Sequence, residues 1–438
     1  MLKTRHNKFR QLCHALTLIM VICSPPSEAD ELTLQEAVIS ALATDERIAA
    51  ARSNLFGAEE GRVSAKSNYK PRVNAIGTYG YNAIDQFNSS GSLQRDGQKM
   101  YGGIEVQQDL WTFGRNKAYV NKADAEINIA GYELTGTQNE VVLDTVNAYL
   151  DTRSALETLN AYTDHAANLK KLMVSTEAKH KLSLVTTTEL ALVASRLQQA
   201  LAQLSVAKAN YETRRMDLVR LIHEDFTSLE NNLNGLHVTL PQSAEDAIET
   251  ALSNAPLFLK ARDEMAVAKA NLDVASAARY PALTASGRWV KGRVGDIPTG
   301  DKEVGLSMNL PLYDGGLQSS KVRRAKHDLA RARHAKESME RYTEQNARSA
   351  FITLNSARNV SLAWEAALAA EEKSLNGIER EVEANLEGLP YLLEAKDKMM
   401  MVRIQAIETK KRARLAEFEL LTTTGSILSA FLSNTLPS

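Results

Sequence analysis

The sequence is poor in the residues that cross-link a chain or interrupt a helix. Of its 438 residues, only 2 are cysteine and 10 are proline. Cys13 and Cys23 both lie near the N-terminus, so the remainder of the chain has no disulfide and no thiol chemistry. Few prolines, 6 % aromatic and 24 % charged residues together favour long, partly solvated helices over several packed domains.

Beyond the N-terminal region the sequence also lacks any apolar run near the roughly 20 residues that a transmembrane helix needs. If the chain enters a membrane, it must do so as a β-barrel, the other structure whose backbone is fully hydrogen-bonded in lipid. The formal net charge is −1, and basic residues are interspersed with acidic ones. This balance gives no reason to expect nucleic-acid binding.

Residue types that carry chemistry are not grouped into a recognisable site. The eight histidines form no metal-ligand motif, and there is no glycine-rich phosphate loop and no nucleophile elbow. We interpret His327 and His334, seven residues apart, as exposed side chains of a helix. The sequence therefore predicts no enzymatic activity, no cofactor and no metal site.

The N-terminus has the pattern of a secretory signal peptide over residues 1–29. Four basic residues precede an apolar run from about Leu16 to Cys23, and small residues precede Ala29. We predict export with cleavage after Ala29. Cleavage would remove four of the 52 basic and one of the 53 acidic side chains, which leaves a net charge of −4. The alternatives for this segment are a cytosolic N-terminal helix and a lipid anchor at Cys23.

The rest of the chain divides into two halves that repeat one order of elements. Adding 210 aligns Pro71 with Pro281, and a shift of 202 after the hairpins aligns Tyr149 with Phe351. One shift that holds over a long helix, with a single gap in a loop, indicates an internal duplication. Apolar and small residues seven apart on the returning helices predict coiled-coil packing, with Val193, Ala200 and Ala207 in an intervening row of the first; an ordinary packed bundle is the alternative. The residues seven apart are Leu190, Leu197, Leu204, Tyr211 and Leu218 in the first half and Leu392, Met399, Ala406, Ala413 and Leu420 in the second.

Each half is predicted to contain an N-terminal helix, a β-hairpin and a long helical hairpin. An irregular connector joins the halves. The predicted segments are 30–72, 73–110 and 111–222 in the first half, the connector 223–245, then 246–281, 282–310 and 311–424 in the second half, and a C-terminal tail 425–438.

The two hairpins are predicted to supply four strands of about 9–11 residues, the length that crosses a bilayer when tilted. Strands are expected from Val73 to about Ala83 and from Met100 to Leu110, with a polar loop between them, and over 282–291 and 302–310. Four strands are too few to close a membrane barrel, so several chains would have to share one. The alternative is a pair of soluble hairpins that cap a helical rod.

The duplicated order and two turns carry a resemblance to a known family. The turns lie where each hairpin passes into a long helix, at Leu110–Arg115 and Leu312–Gly316. Together with the opening Leu34–Leu42, they resemble the TolC family of outer-membrane channel-tunnels over about residues 32–425. The residues of these barrel-to-helix turns are Trp111, Gly114, Tyr313, Asp314, Gly315 and Gly316.

The resemblance implies a mainly helical homotrimer with a 12-stranded β-barrel in outer-membrane lipid and a 12-helix tunnel, with an equatorial domain, in the periplasm. It implies a passive exit duct in a tripartite efflux pump or type I protein secretion system. An adaptor (membrane fusion) protein and an inner-membrane transporter would be its partners. The rival hypothesis is a secreted helical scaffold or coiled-coil adhesin without a pore.

The resemblance also assigns roles at the far turns of the two helical hairpins, which would form the periplasmic tip. Glu394 matches a carboxylate that narrows the tip, whereas Tyr391 stands in place of another. Glu189 and Glu387 are both acidic where the family pairs an acid with a base; the alternative for these glutamates is that they are solvated helix-end charges. Asn385 suits a left-handed turn better than Ser183. The adaptor would dock at Ser183, Leu184, Val185, Thr186, Asn385, Leu386 and Gly388.

Overall fold

The computed structural model describes residues 31–88, 91–230, 239–384 and 386–432. The predicted cleavage site at Ala29, the turn residue Asn385 and residues 231–238 of the connector lie outside these ranges. The described elements are α1 (Leu34–Thr44), α2 (Glu46–Ser67), β1 (Arg72–Asn88), β2 (Gly91–Trp111), α3 (Arg115–Lys181), α4 (Thr187–Ile222), α5 (Ala244–Asn254), α6 (Pro256–Ala277), β3 (Ala282–Val294), β4 (Ile297–Asn309), α7 (Leu317–Glu383), α8 (Leu389–Thr423) and α9 (Ile427–Leu432).

The helices repeat between the two halves with the spacing expected from the sequence. α1 and α2 begin 210 residues before α5 and α6, and α3 and α4 begin 202 residues before α7 and α8. The helices α3 and α7 have 67 residues each, which corresponds to about 100 Å of helix. The duplicated order of helix, hairpin and helical hairpin is therefore confirmed.

The prediction of a single N-terminal helix within residues 30–72 is wrong, because two helices, α1 and α2, occupy this segment. Asp45 interrupts it with an extended backbone, and its side chain accepts a hydrogen bond from the amide of Arg47 at the start of α2. The second half breaks at the matching place, where Ala255 is extended and Pro256 begins α6. Asp and Pro are favourable at a helix start, so each break replaces one helix with two.

The strands are longer than expected. β1 and β2 have 17 and 21 residues, and their pairing continues from Arg72↔Gln107 to Asn88↔Gly91 through the segment predicted to be a polar loop. β3 and β4 have 13 residues each. Local polarity suggested a loop, but pairing to a neighbouring strand satisfies the backbone regardless of side-chain type.

The four strands form one antiparallel sheet in the order β1-β2-β3-β4, with different chemistry on its two faces. The register places Leu306 opposite Ala285 and Met308 opposite Leu283 on one face. That face is apolar and open to solvent in the single chain: Val304 is 92 % exposed. Glu105, Arg288 and Glu303 lie side by side on the other face. Within the described residues, β1 and β4 have one partner strand each, so both edges of the sheet are open.

The largest apolar core lies beside the middle of α3 and at the C-terminal ends of α4 and α8. It joins α1, α3, α4, α8 and α9 with Phe226 and Leu229 of the connector. The segment predicted to be a C-terminal tail contributes α9, whose Phe431 stacks on Phe418 of α8 at 5.9 Å between ring centroids. A parallel bridge between Leu32 and Leu229 fixes the N-terminal segment against this core.

Both returning helices use the predicted heptad rows for packing. In α8 the row beginning at Leu392 is largely buried. In α4 the intervening row of Val193, Ala200 and Ala207 is buried, and Leu197 and Leu204 pack partly buried beside it. Among the helices that the structure describes, none is both long and apolar enough to cross a membrane.

Candidate functional site

The first tip turn joins α3 to α4 and exposes two leucines. Ser183 adopts a left-handed conformation (φ 57°), which glycine or asparagine would adopt more readily. The amides of Ser183 and Leu184 donate to the carbonyls of His180 and Lys179, each at 2.9 Å, and these bonds hold the turn. Leu182 and Leu184 are 71 % and 70 % exposed, so the turn presents an apolar surface to solvent.

Thr186 ends this turn by capping α4. Its hydroxyl accepts a hydrogen bond from the amide of Glu189, and the carboxylate of Glu189 accepts from the Thr186 amide at 2.8 Å. This reciprocal pair satisfies amides that have no partner within the helix. The Thr186 amide and hydroxyl lower the pKa of Glu189. The carboxylate of Glu189 is therefore already hydrogen-bonded within the N-terminal cap of its own helix.

The second tip turn joins α7 to α8. The Leu386 amide donates to the carbonyl of Glu381 at 2.8 Å, and Leu386 is 74 % exposed. Gly388 is the residue before α8 and supplies no side-chain cap, and Pro390 occupies the first turn of the helix. Glu387 is exposed in this turn. Both turns thus combine an exposed leucine with a defined helix start.

Glu394 and Tyr391 lie on the exposed face of α8, one turn apart. The opposite face is buried: Leu393 packs against Val193 of α4, and Leu392 packs against Ile378 of α7. The packing of α8 therefore fixes the direction in which the two predicted gate side chains project. The described residues place no base beside Glu387 or Glu189.

The two helical hairpins are joined near the tip by a cluster around Asp397 of α8. The carboxylate of Asp397 lies 3.2 Å from Nη1 of Arg196 on α4 and 3.8 Å from Nε2 of His165 on α3. Lys396 faces the same histidine and pairs with Glu379 of α7. Burial is the main cause of the lowered pKa of His165, with Lys396 adding to it and Asp397 opposing it.

At the other end of the helices, the two strand-to-helix turns use related backbones. Gly315 and Gly316 both have positive φ, and Asp314 accepts hydrogen bonds from the amides of Gly316 and Gln318 at 3.1 and 2.9 Å. Trp111 and Tyr313 precede their helices as exposed aromatic residues. Glycine adopts these backbone angles at no steric cost, so the glycines of the two motifs favour the observed turns.

Several residues that matter at these ends were not predicted. Phe113 adopts φ 49° beside Gly114, and its ring stacks on Tyr280 with centroids 5.6 Å apart. Thr112 is buried and accepts from the Asn116 amide. Asp397 and Arg196 are separated by half the chain. A helical pattern does not identify the partner of a charged side chain, so their contact could not be predicted from the sequence.

Comparison with known proteins matches this arrangement to one family. The family described as "Outer membrane efflux protein" matches residues 38–224 and 247–426, which covers both halves of the duplication. The chain belongs to this family. The relatives of this outer membrane efflux protein include BepC of Brucella suis, 23 % identical over 403 residues that cover 90 % of this chain and 85 % of BepC.

Two further proteins place the chain within the family. TolC of Escherichia coli is 24 % identical over 265 residues, which cover 55 % of this chain and 52 % of TolC. The outer membrane channel CmeC of Campylobacter jejuni has the same fold, with a TM-score of 0.75 at 17 % identity over 90 % of this chain and 86 % of CmeC. The predicted resemblance to TolC is thereby confirmed. BepC is described as an outer membrane efflux protein, TolC as an outer membrane protein and CmeC as an outer membrane channel.

Proposed function

We propose that this outer membrane efflux protein is the passive exit duct of a pump, built from several copies of the chain. The observation that supports this most directly is the open four-stranded sheet with one apolar and one polar face. Each unpaired edge would leave backbone groups without partners in lipid. Pairing β1 of one copy with β4 of the next removes both edges. Three copies, the number implied by the resemblance, give 12 strands.

The helices extend the duct away from the membrane. α3 and α7 continue from the sheet through the strand-to-helix turns and run for about 100 Å. A helical wall of this length suits a passage through the periplasm. Transport energy would come from an inner-membrane transporter, in drug efflux or in type I protein secretion.

The tip turns are the proposed docking surface for a periplasmic adaptor. Leu182, Leu184 and Leu386 are each more than two-thirds exposed although they are strongly apolar. Apolar side chains at the ends of paired helices suit the helical hairpin of a partner. Ser183, Val185, Thr186 and Gly388 would shape this surface through their backbone.

Glu394 is the proposed selectivity residue of the tip. It lies on the unpacked face of α8, and three symmetry-related carboxylates around a narrow axis would favour cations over anions. Tyr391, one turn closer to the end of the helix, would narrow the same aperture without adding charge.

The test is single-channel conductance of the detergent-extracted protein in planar bilayers. We expect discrete cation-selective steps, and Glu394→Gln should weaken the cation preference. Glu419→Gln is the matched control, because Glu419 is also exposed on α8 but lies about 37 Å further along the helix. Equal effects of the two variants would remove Glu394 from the tip. A well-folded protein that stays soluble and never inserts would favour the scaffold hypothesis instead.

A further inference from the structure

The charged residues of the last two strands are divided between the two faces of the sheet. β3 and β4 contain two acidic residues, Asp301 and Glu303, and the register places both on the polar face. Three of the four bases in these strands, Lys291, Arg293 and Lys302, lie on the apolar face instead. Successive side chains of a strand alternate between the faces, so the register fixes this division. The apolar face of these two strands therefore carries bases and no acid.

The three bases lie close together at the end of the sheet that is away from the helices. Lys302 pairs with Trp289, and Lys291 follows Trp289 by two residues on β3. Arg293 follows by two more, next to the turn that joins β3 to β4. Residues two apart on a strand are separated by about 7 Å, and diagonal neighbours on paired strands by about 7–8 Å. One anionic group can therefore contact two of these bases.

The bases begin where the apolar row of β4 ends. The apolar face of β4 carries Met308, Leu306 and Val304, and Leu310 extends this row just beyond the strand. The next side chain on the face is Lys302, eight residues from Leu310. For a strand tilted by about 40° this is about 20 Å across a bilayer, close to the apolar band of about 25 Å around a membrane barrel. In a sheet that enters the membrane as proposed, the bases thus lie at the boundary of the hydrocarbon region.

The charges of these bases are not neutralised within the chain. All three side chains are exposed, and no acidic side chain pairs with them in the part of the chain that the structure describes. Lys291 has a glycine on each neighbouring strand, Gly102 on β2 and Gly300 on β4, so its ammonium group is accessible from both sides. On the polar face, by contrast, Arg288 has an acid on each neighbouring strand. The bases of the apolar face are therefore free to bind an anionic group from outside the chain.

The surroundings of the bases favour a lipid over a soluble anion. Trp289 is 49 % exposed on the apolar face, beside Lys302 and Lys291. Indole rings favour the boundary between hydrocarbon and headgroups, and the long side chains of lysine and arginine reach from that boundary to charged groups. Basic clusters beside a membrane-embedded surface bind anionic lipid headgroups. A lipid can contact the apolar row of β4 with its chains and these bases with its headgroup.

We propose that Lys291, Arg293 and Lys302 form a binding site for a phosphorylated anionic lipid in the membrane leaflet farther from the helices. The headgroup phosphate accepts hydrogen bonds from the two ammonium groups and the guanidinium, and such charge-assisted bonds are the stronger ones. The acyl chains cover the apolar residues of β4. The inference rests on the proposed exit-duct function, which places the apolar face of the sheet in lipid.

The test measures which lipid lies beside Trp289 in the full-length protein reconstituted into vesicles. Trp111→Phe and Trp364→Phe leave Trp289 as the only one of the 3 tryptophans of the sequence. Its fluorescence is quenched by lipids whose acyl chains carry bromine. Phosphatidylcholine vesicles with increasing fractions of brominated phosphatidic acid are compared with vesicles in which brominated phosphatidylcholine takes its place.

We expect phosphatidic acid to be enriched beside Trp289 at least about fivefold over phosphatidylcholine, the gain from one base near an anionic surface. Lys291→Gln, Arg293→Gln and Lys302→Gln together should abolish this enrichment. Lys99→Gln is the matched control and should retain it, because Lys99 pairs with Val294 at the same end of the sheet but lies on the polar face. Unchanged quenching by brominated phosphatidylcholine in the triple variant shows that the variant folds and inserts.

Two results would overturn the proposal. One is equal quenching by the two brominated lipids in the single-tryptophan protein, and the other is an enrichment that the triple variant retains. If brominated phosphatidylcholine leaves Trp289 unquenched, the apolar face does not lie in lipid and the exit-duct proposal fails as well. Quenching by phosphatidylcholine without a preference for phosphatidic acid removes the lipid site alone, so the two failures are distinguishable.

Discussion

Tyr149 is the large side chain at the centre of the main core, and its replacement tests how that core holds the N-terminal segment. The residue is fully buried, and its hydroxyl donates to the carbonyl of Leu32 at 3.0 Å. The same carbonyl also accepts from the Glu230 amide at 3.1 Å. Tyr149→Phe removes one of two hydrogen bonds and leaves no unpaired acceptor. The expected loss of folding free energy is therefore about 0.5–1 kcal/mol, the low end of the range for one hydrogen bond.

Tyr149→Ala removes the ring as well. Truncation of a buried aromatic residue typically costs about 3–5 kcal/mol, because a cavity remains. The duplication supplies a precedent for the milder change, since Phe351 occupies the matching position of the second half. The two variants thus separate the contribution of the hydroxyl from that of the ring.

Hydrogen exchange of the segment Leu32–Val38, followed by mass spectrometry, measures this local stability. Exchange should accelerate about two- to fivefold in Tyr149→Phe and more than about 100-fold in Tyr149→Ala, since 1.4 kcal/mol corresponds to a factor of ten. Tyr162→Phe, on the same helix outside the core, is the control. Equal acceleration in the Phe and Ala variants, or none in either, would refute the reasoning.

Four further outcomes are expected. Burial raises the pKa of Tyr149 to about 12, so the stability that its neutral side chain contributes should be full below pH 10 and lost between pH 10 and 12. Thermal melts at alkaline pH should show this loss in the wild type and lack it in Tyr149→Phe. A Cβ on Gly103 would lie 2.1 Å from a carbonyl oxygen of β3, so Gly103→Ala should abolish heat-resistant oligomers on gels. Gly77→Ala is the control and should retain these oligomers, because a Cβ there meets open space. Thr186→Ala should cost about 1 kcal/mol by removing the cap of α4, seen as faster exchange of its first turn. Because burial lowers the pKa of His165, the stability linked to its neutral form should fall as the pH drops below about 6.5, and melts of His165→Gln should lack this dependence.

Local patterns in the sequence were sufficient for the elements whose conformation is decided by near neighbours. Gly315 and Gly316 predicted the strand-to-helix turn. The alternation of Val304, Leu306 and Met308 predicted the apolar face of β4. The break at Asp45 was missed because Asp, although it favours N-caps, also occurs within helices, and the apolar spacing continues on both sides of it. The full length of β1 and β2 was missed because polar segments that contain glycine form strands only where a partner strand lies beside them.

The duplicated order, the long helices and the turns that join them follow from the sequence alone, because each depends on residues a few positions apart. Which surfaces meet depends on how the helices pack. Asp397 contacts Arg196 and His165, and Tyr149 contacts Leu32, because packing brings together segments that are far apart in the chain. A helix pattern tells which residues share a face, but the axial offset and rotation between two helices decide which side chain that face contacts.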